Sequence, residues 1–220
     1  MEVKGGGGMK FYLEDGGTIQ RQAVMEYTPS EETRSLLYYL LSAGYFNSLS
    51  SYRVSRQGFD CMLVAYTIAG RGRLEYRGKN YEILPGHLFV IDCDEPQCYG
   101  TDGENWEFFW AHFHGADSRR LVHQILKGGG PVYQAGDQVE LYNQLFILSG
   151  NPCMKSDILV SGKLYGLLTE LLLLAGDYRK MPEEVAVSYT HLVIIKTNRL
   201  REGICFSPDC PFVPNCHYNH

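Results

Sequence analysis

The chain has 220 residues, enough for one domain of usual size with a substantial core. Hydrophobic residues make up 45% and charged residues 20%, and 20 Lys and Arg against 25 Asp and Glu leave a net charge of −5. This composition excludes a collagen-like chain and a chain-wide basic field for nucleic acid; no uninterrupted apolar run, Leu171 to Ala175 included, approaches the about 18 residues of a membrane helix.

The first ten residues, MEVKGGGGMK, read as a flexible leader, because four consecutive glycines support neither helix nor packed strand. Met9 is the expected natural start, the glycines being a translated ribosome-binding stretch. The N-terminus lacks the charged, apolar and small-residue order of a secretory signal, so a cytoplasmic protein is expected. Residues 11–50 read as an N-terminal arm leading into the main domain, residues 51–180. In that compartment Cys61, Cys93, Cys98 and Cys153 are expected to be reduced thiols, some buried as small hydrophobes.

From Tyr52 to Gly115 the text is strand and turn. Met62 to Ile68 is a near-continuous apolar run with β-branched and aromatic residues, which predicts a strand buried on both sides. Gly70-Arg71-Gly72 is expected to end it, and Arg73 to Arg77 then alternates. Gly78-Lys79-Asn80 signals a hairpin, Pro85-Gly86 a tight turn into His87 to Ile91, and Asp94-Glu95-Pro96 another. Trp106 to His114 is the last long strand. Short strands at this spacing predict an antiparallel sandwich or barrel. After Gly115 the period becomes helical: one helix from Asp117 or Ser118 to Lys127, a second from Asp137 to Leu148, and a third from Ser156 to Tyr178. The third carries Leu164, Leu167, Leu168, Leu171, Leu172 and Ala175 at helical spacing.

On the last strand, alternation places Trp106, Phe108, Trp110, His112 and His114 on one face. Two readings of that face are open. The rings are a packed core with a satisfied histidine, or they line a barrel mouth suited to stacking on a sugar ring while hydrogen-bonding its hydroxyls.

The ordered set Tyr66-x3-Gly70-x-Gly72-x3-Tyr76-x-Gly78-x2-Tyr81-x3-Pro85-Gly86, Asp94-Glu95-Pro96-x2-Tyr99 and Trp106-x3-Trp110-x-His112-Phe113-x-Gly115 resembles the sensor domain of AraC-type transcription regulators. The resemblance runs from about Ser51 to Tyr178. It implies an α+β fold, an antiparallel cupin-like or jelly-roll barrel followed by two or three helices. It also implies binding of a small effector, often a sugar, and homodimerisation through the leucine-rich helix, with Leu164, Leu167, Leu168, Leu171 and Leu172 at the seam. Trp110, Tyr99 and Phe108 match effector-contacting positions, although Phe108 has no hydrogen-bonding group there. His112 and Tyr66 complete the expected lining. An effector-binding arginine is expected before the first barrel strand, with Arg56 preferred over Arg53.

The alternative is a stand-alone cupin enzyme acting on a sugar. The His-x-His-then-Glu arrangement of metal-dependent cupins is missing between Leu63 and Tyr81, no Glu follows His112-x-His114 at a fitting distance, and there is no phosphate-binding glycine loop. No enzyme activity, metal or cofactor is therefore expected. AraC-type regulators continue into two helix-turn-helix units, which residues 185–220 do not resemble, so the expected protein is a sensor that lacks its DNA-binding part. Those residues read as an atypical, non-native tail. The competing reading is a zinc knuckle from Cys205, Cys210, Cys216 and His220, weakened by Pro208, Pro211 and Pro214.

Overall fold

The computed structural model describes residues 9–12, 19–115, 117–150 and 153–176. The chain divides into a unit Met1–Asp177 and a unit Tyr178–His220. The tail expected at 185–220, with Cys205, Cys210, Cys216 and His220, lies outside the described residues, as does the glycine run.

Thirteen elements follow in order among the described residues: β1 Met9–Tyr12, β2 Ile19–Glu26, α1 Glu31–Leu36, β3 Tyr39–Leu49, β4 Arg53–Arg56, β5 Met62–Tyr76, β6 Lys79–Ile83, β7 His87–Asp92, β8 Gln97–His114, α2 Ser118–Gly129, β9 Val132–Gln134, α3 Val139–Ser149 and α4 Met154–Ala175. All strands join one antiparallel sheet, along the path β1-β2-β3-β8-β5-β7-β9, with β4 on β8 and β6 on β5. The expected α+β class, an antiparallel cupin-like sheet followed by helices, is the architecture observed.

Two long strands organise it. β5 and β8 pair along almost their whole length, with register shifts at Thr67/Ala69 and Gly70/Gly72. Such irregularities bend a ladder and strengthen its twist. The bend divides the sheet. One half holds β2, β3, the end of β8, the start of β5 and β7; the other holds β4, the start of β8, the end of β5 and β6. Gly70 sits at the bend with φ +70°, and a Cβ there would collide with the carbonyl oxygen of Asn105. The expected strand end at Gly70-Arg71-Gly72 is thus a bend within one continuous strand, because the ladder to β8 resumes beyond it. The β5–β6 hairpin closes through Arg77 and Gly78, both at positive φ, as a two-residue primed turn requires.

β3 was expected only as part of an arm. It pairs with β8 from Tyr39↔His114 to Leu49↔Asn105, deep in the sheet. Met9 and Lys10, assigned by sequence to the leader, open β1 against β2. The short helix α1 was not expected at all. Ser30 caps it by accepting from the Thr33 amide at 3.1 Å, and six residues are too few to show periodicity.

Helices cover the outer face of the first half. Tyr142 of α3 stacks on Tyr66 and Phe109, with ring centroids 6.2 and 5.4 Å away. This cover is why Met62 to Thr67 is buried without alternation. α4 packs against α2, α3 and β3. By length and composition α4 is apolar enough to cross a bilayer, with mean hydropathy 1.7, which the sequence reading did not anticipate. Val160, Leu164, Leu167, Leu168 and Leu171 nevertheless form a buried stripe against the rest of the fold. Each such side chain contributes roughly 1.5–3 kcal/mol by burial. In the first turn of α4, buried Asp157 accepts hydrogen bonds from the Tyr27 and Thr33 hydroxyls at 2.7 and 2.6 Å, tying the N-terminal segment to the helix. The position suits a carboxylate, since helix N-termini carry partial positive charge.

Candidate functional site

Because the sheet folds back on itself, alternate residues of both halves face one partly open space. This cavity, of about 250 Å3, is lined by Phe46, Tyr52, Arg56, Tyr99, Phe108, Trp110 and His112, together with Ser42, Val54, Phe59, Leu63, Ala65, Phe89 and Val24. Five of the seven expected site residues meet here or at its edge: Arg56, Tyr99, Phe108, Trp110 and His112.

Trp110 is the half-buried wall. Its partner across the β3–β8 ladder is Gly44, and the indole lies flat over that residue because there is no side chain to displace it. Its centroid is 5.3 Å from Phe46 and 5.5 Å from the His112 ring. Phe46 meets Phe108 and Tyr52 edge-on at 5.7 and 5.9 Å. The result is a set of crossed aromatic faces with polar tips at Tyr52, Tyr99 and His112. Burial pushes the Tyr52 and Tyr99 hydroxyls well above the ordinary phenol range, so both are neutral donors at physiological pH. The Arg56 charge acts in the opposite direction on both.

Three expected residues lie away from this cavity. Tyr66 lies on the opposite face of β5 from Leu63 and Ala65, stacked on Tyr142 under α3, and does not line the cavity. Arg53 is exposed and lines an outer, open groove of about 630 Å3 with Arg56, Arg77 and Glu95. That groove is larger, but Tyr76 is its sole aromatic; the partly open, aromatic-lined cavity is the better candidate. Trp106 is fully buried in the core: its indole N–H donates to Thr67 Oγ1 at 3.0 Å and its ring stacks on Phe108 at 3.8 Å. One indole therefore serves the cavity and the other the core. His114 also stays outside the lining, stacked on Tyr39 with its Nε2 3.4 Å from Asp60.

The leucines expected at a dimer seam are mostly buried within the domain. Leu164, Leu167, Leu168 and Leu171 are at most 4% exposed and face their own domain, and Leu172 is half-buried. Of the apolar residues on α4, Ile158, Leu159, Tyr165, Leu173 and Leu174 are 43–59% exposed.

Phe46, Tyr52 and Phe59 were missed by sequence reasoning. Phe46 lies in the segment taken for an arm, and only its pairing with β8 shows which way its ring faces; the alternation of Ser42, Gly44 and Phe46 was the signal available.

Among the described residues, two side-chain groups place three possible metal donors together. Cys61 Sγ and Cys93 Sγ lie 3.1 and 3.9 Å from His112 Nδ1, and all three residues are buried. Hydrogen bonding to Cys93, then burial, pushes the Cys61 thiol up, while hydrogen bonds from Cys61 and His112 pull Cys93 down. The second group is Asp92, Glu95 and His123, in which Asp92 already meets His123 at 2.8 Å and Arg119 at 3.0 Å.

Among solved structures, the chain is similar to an HTH_3 family transcriptional regulator from Vibrio cholerae, at 10% identity and TM-score 0.36, over 47% of this chain and 57% of that one, little more than half its length. It is similar to the Cupin_2 domain of an XRE family transcriptional regulator from Enterobacter cloacae, at 14% identity and TM-score 0.34, over 43% and 97%. It is also similar to KdgF from Halomonas sp., at 14% identity and TM-score 0.34, over 47% and 87%. No curated protein matches the sequence. The model of the AraC-like ligand binding domain matches residues 39–168, more than half of the chain and from the first residue of β3 into α4. The chain belongs to the AraC-like ligand binding domain family.

Proposed function

We propose that this domain is the effector sensor of a cytoplasmic AraC-type transcription regulator, that its effector is a monosaccharide or close derivative, and that it is not an enzyme. The observation that carries the reading is the aromatic-lined cavity with the half-buried Trp110 on one side and Arg56 at its open edge. An indole face stacks on the C–H surface of a sugar ring; Arg56, Tyr52, Tyr99 and His112 supply hydrogen bonds to its hydroxyls. At about 250 Å3 the space lies just below the usual range of ligand pockets, about 300 to 1,000 Å3, and suits one ring better than two. Sensing is then a population shift: the sugar favours whichever arrangement of the regulator binds it more tightly. Output to DNA belongs to helix-turn-helix units outside the sensor. Pairing of two sensors through the outward face of α4, centred on Ile158, Tyr165 and Leu173, accounts for an apolar surface that the domain's own fold leaves uncovered.

The test is a thermal-shift and calorimetric screen of monosaccharides, sugar acids and sugar phosphates. One compound is expected to raise the melting temperature, and the Trp110→Ala and Arg56→Ala variants to lose that shift. A panel that shifts nothing, or a shift unaltered in both variants, overturns the reading; turnover of the compound would make the protein an enzyme.

A further inference from the structure

We propose that Cys61, Cys93 and His112 form a binding site for one thiophilic cation, Zn2+ or Cu+, in the cavity wall. The three donors come from separate places in the chain: Cys61 just before β5, Cys93 just after β7 and His112 on β8. The sheet assembles them. Cys93 N–H donates to the Cys61 carbonyl at 2.9 Å, continuing the Met62↔Asp92 ladder, and Leu63 pairs with His112. All donor atoms lie within 4.8 Å of one another.

Coordination geometry makes the fit quantitative. With Zn–S near 2.3 Å and Zn–N near 2.0–2.1 Å, a tetrahedral ion separates sulfur from nitrogen by about 3.6 Å. The existing separations of 3.1 and 3.9 Å bracket that value, so each contact changes by about half an ångström or less. Two sulfurs and one imidazole, with no carboxylate among them, select soft or borderline ions over Mg2+ and Ca2+. When Zn2+ binds, the sulfurs coordinate as thiolates, their two protons leave to solvent, and the two negative charges balance the ion in a buried place. Three protein ligands leave a fourth position for water or another small donor. The group formed by Asp92, Glu95 and His123 does not compete as a site, since Arg119 already occupies the Asp92 carboxylate.

The experiment uses the full chain, reduced and metal-free, with Cys205, Cys210 and Cys216 changed to Ser so that tail thiols do not contribute. Co2+ serves as the spectroscopic probe and Zn2+ and Cu+ as competitors, with bound metal counted by mass spectrometry. Expected are thiolate-to-cobalt charge-transfer bands saturating at one equivalent, displacement by Zn2+ or Cu+, and protection of Cys61 and Cys93 from alkylation. Cys61→Ala and Cys93→Ala should each weaken binding at least about 100-fold, beyond what loss of a supporting residue costs. Alkylation mapping of the unsubstituted pair keeps the test decisive if either variant fails to fold. No cobalt–thiolate band, unchanged affinity in folded variants, or a Cys61–Cys93 disulfide in a reducible chain that takes up no metal when reduced overturns the assignment.

Discussion

Gly44→Ala tests how the cavity wall is held in place. A Cβ at Gly44 would stand 2.5 Å from Trp110 Nε1 and closer still to the adjoining ring carbons. Ordinary carbon contacts are about 3.5–4.0 Å, so the indole must retreat by roughly 1–1.5 Å, and the space open to it is the cavity. Overpacking of this kind costs about 1–3 kcal/mol, which for a domain of this size lowers the melting temperature by roughly 2–12 °C. The sign depends on the ring. Gly44 has no positive φ, so without Trp110 the same change should stabilise by about 0.4–1 kcal/mol through the unfolded chain. Urea denaturation of wild type, Gly44→Ala, Trp110→Ala and the double variant closes the cycle, and tryptophan emission follows the displacement. An alanine that has the same effect with and without Trp110 would refute the account of a wall seated on a glycine.

On α4, Leu168→Ala should cost about 2–5 kcal/mol without changing association, while Leu173→Glu and Ile158→Glu should leave stability within about 0.5 kcal/mol and abolish pairing; denaturation and light scattering read the two effects separately. Asp157→Ala strands the hydroxyls of Tyr27 and Thr33, and a loss of about 1–3 kcal/mol is expected in denaturant titration. The Arg77 guanidinium, which meets both Glu95 oxygens at 2.5–2.6 Å, holds that carboxyl below its ordinary 4.5. A depressed acid stabilises the fold above its unfolded pKa and loses that contribution as pH falls through the folded value. Arg77→Gln should therefore flatten the acid side of the stability profile, by about 0.2–1 kcal/mol for a pair this exposed.

Local chemistry made much of the fold legible. The Pro85-Gly86 turn and the apolar run at Met62 each depend on neighbours in sequence and were readable before any pairing was known, while the hairpin expected at Gly78-Lys79-Asn80 turns one residue earlier, at Arg77-Gly78. The same holds for α2, α3 and α4, whose observed ends differ from expectation by a few residues. The aromatic alternation of β8 likewise put Phe108, Trp110 and His112 on one face.

What one-dimensional text left undecided was which surface each face meets. Period two says that Trp106 and Trp110 share a side; only the bend at Gly70 puts one against Thr67 and the other at a cavity. Period 3.6 says that α4 has a leucine stripe, yet not that α2, α3 and β3 would bury it and leave Ile158 and Leu173 outward. Cys61, Cys93 and His112 are far apart along the chain, and no spacing rule joins them; the antiparallel register does. Propensities and turns act over a few bonds, so sequence determined the main strands from Met62 onward, the helices α2 to α4, the Gly and Pro turns and the family resemblance, but not β3 or α1. Burial and juxtaposition arise from contacts between remote segments, and those only the folded sheet decided.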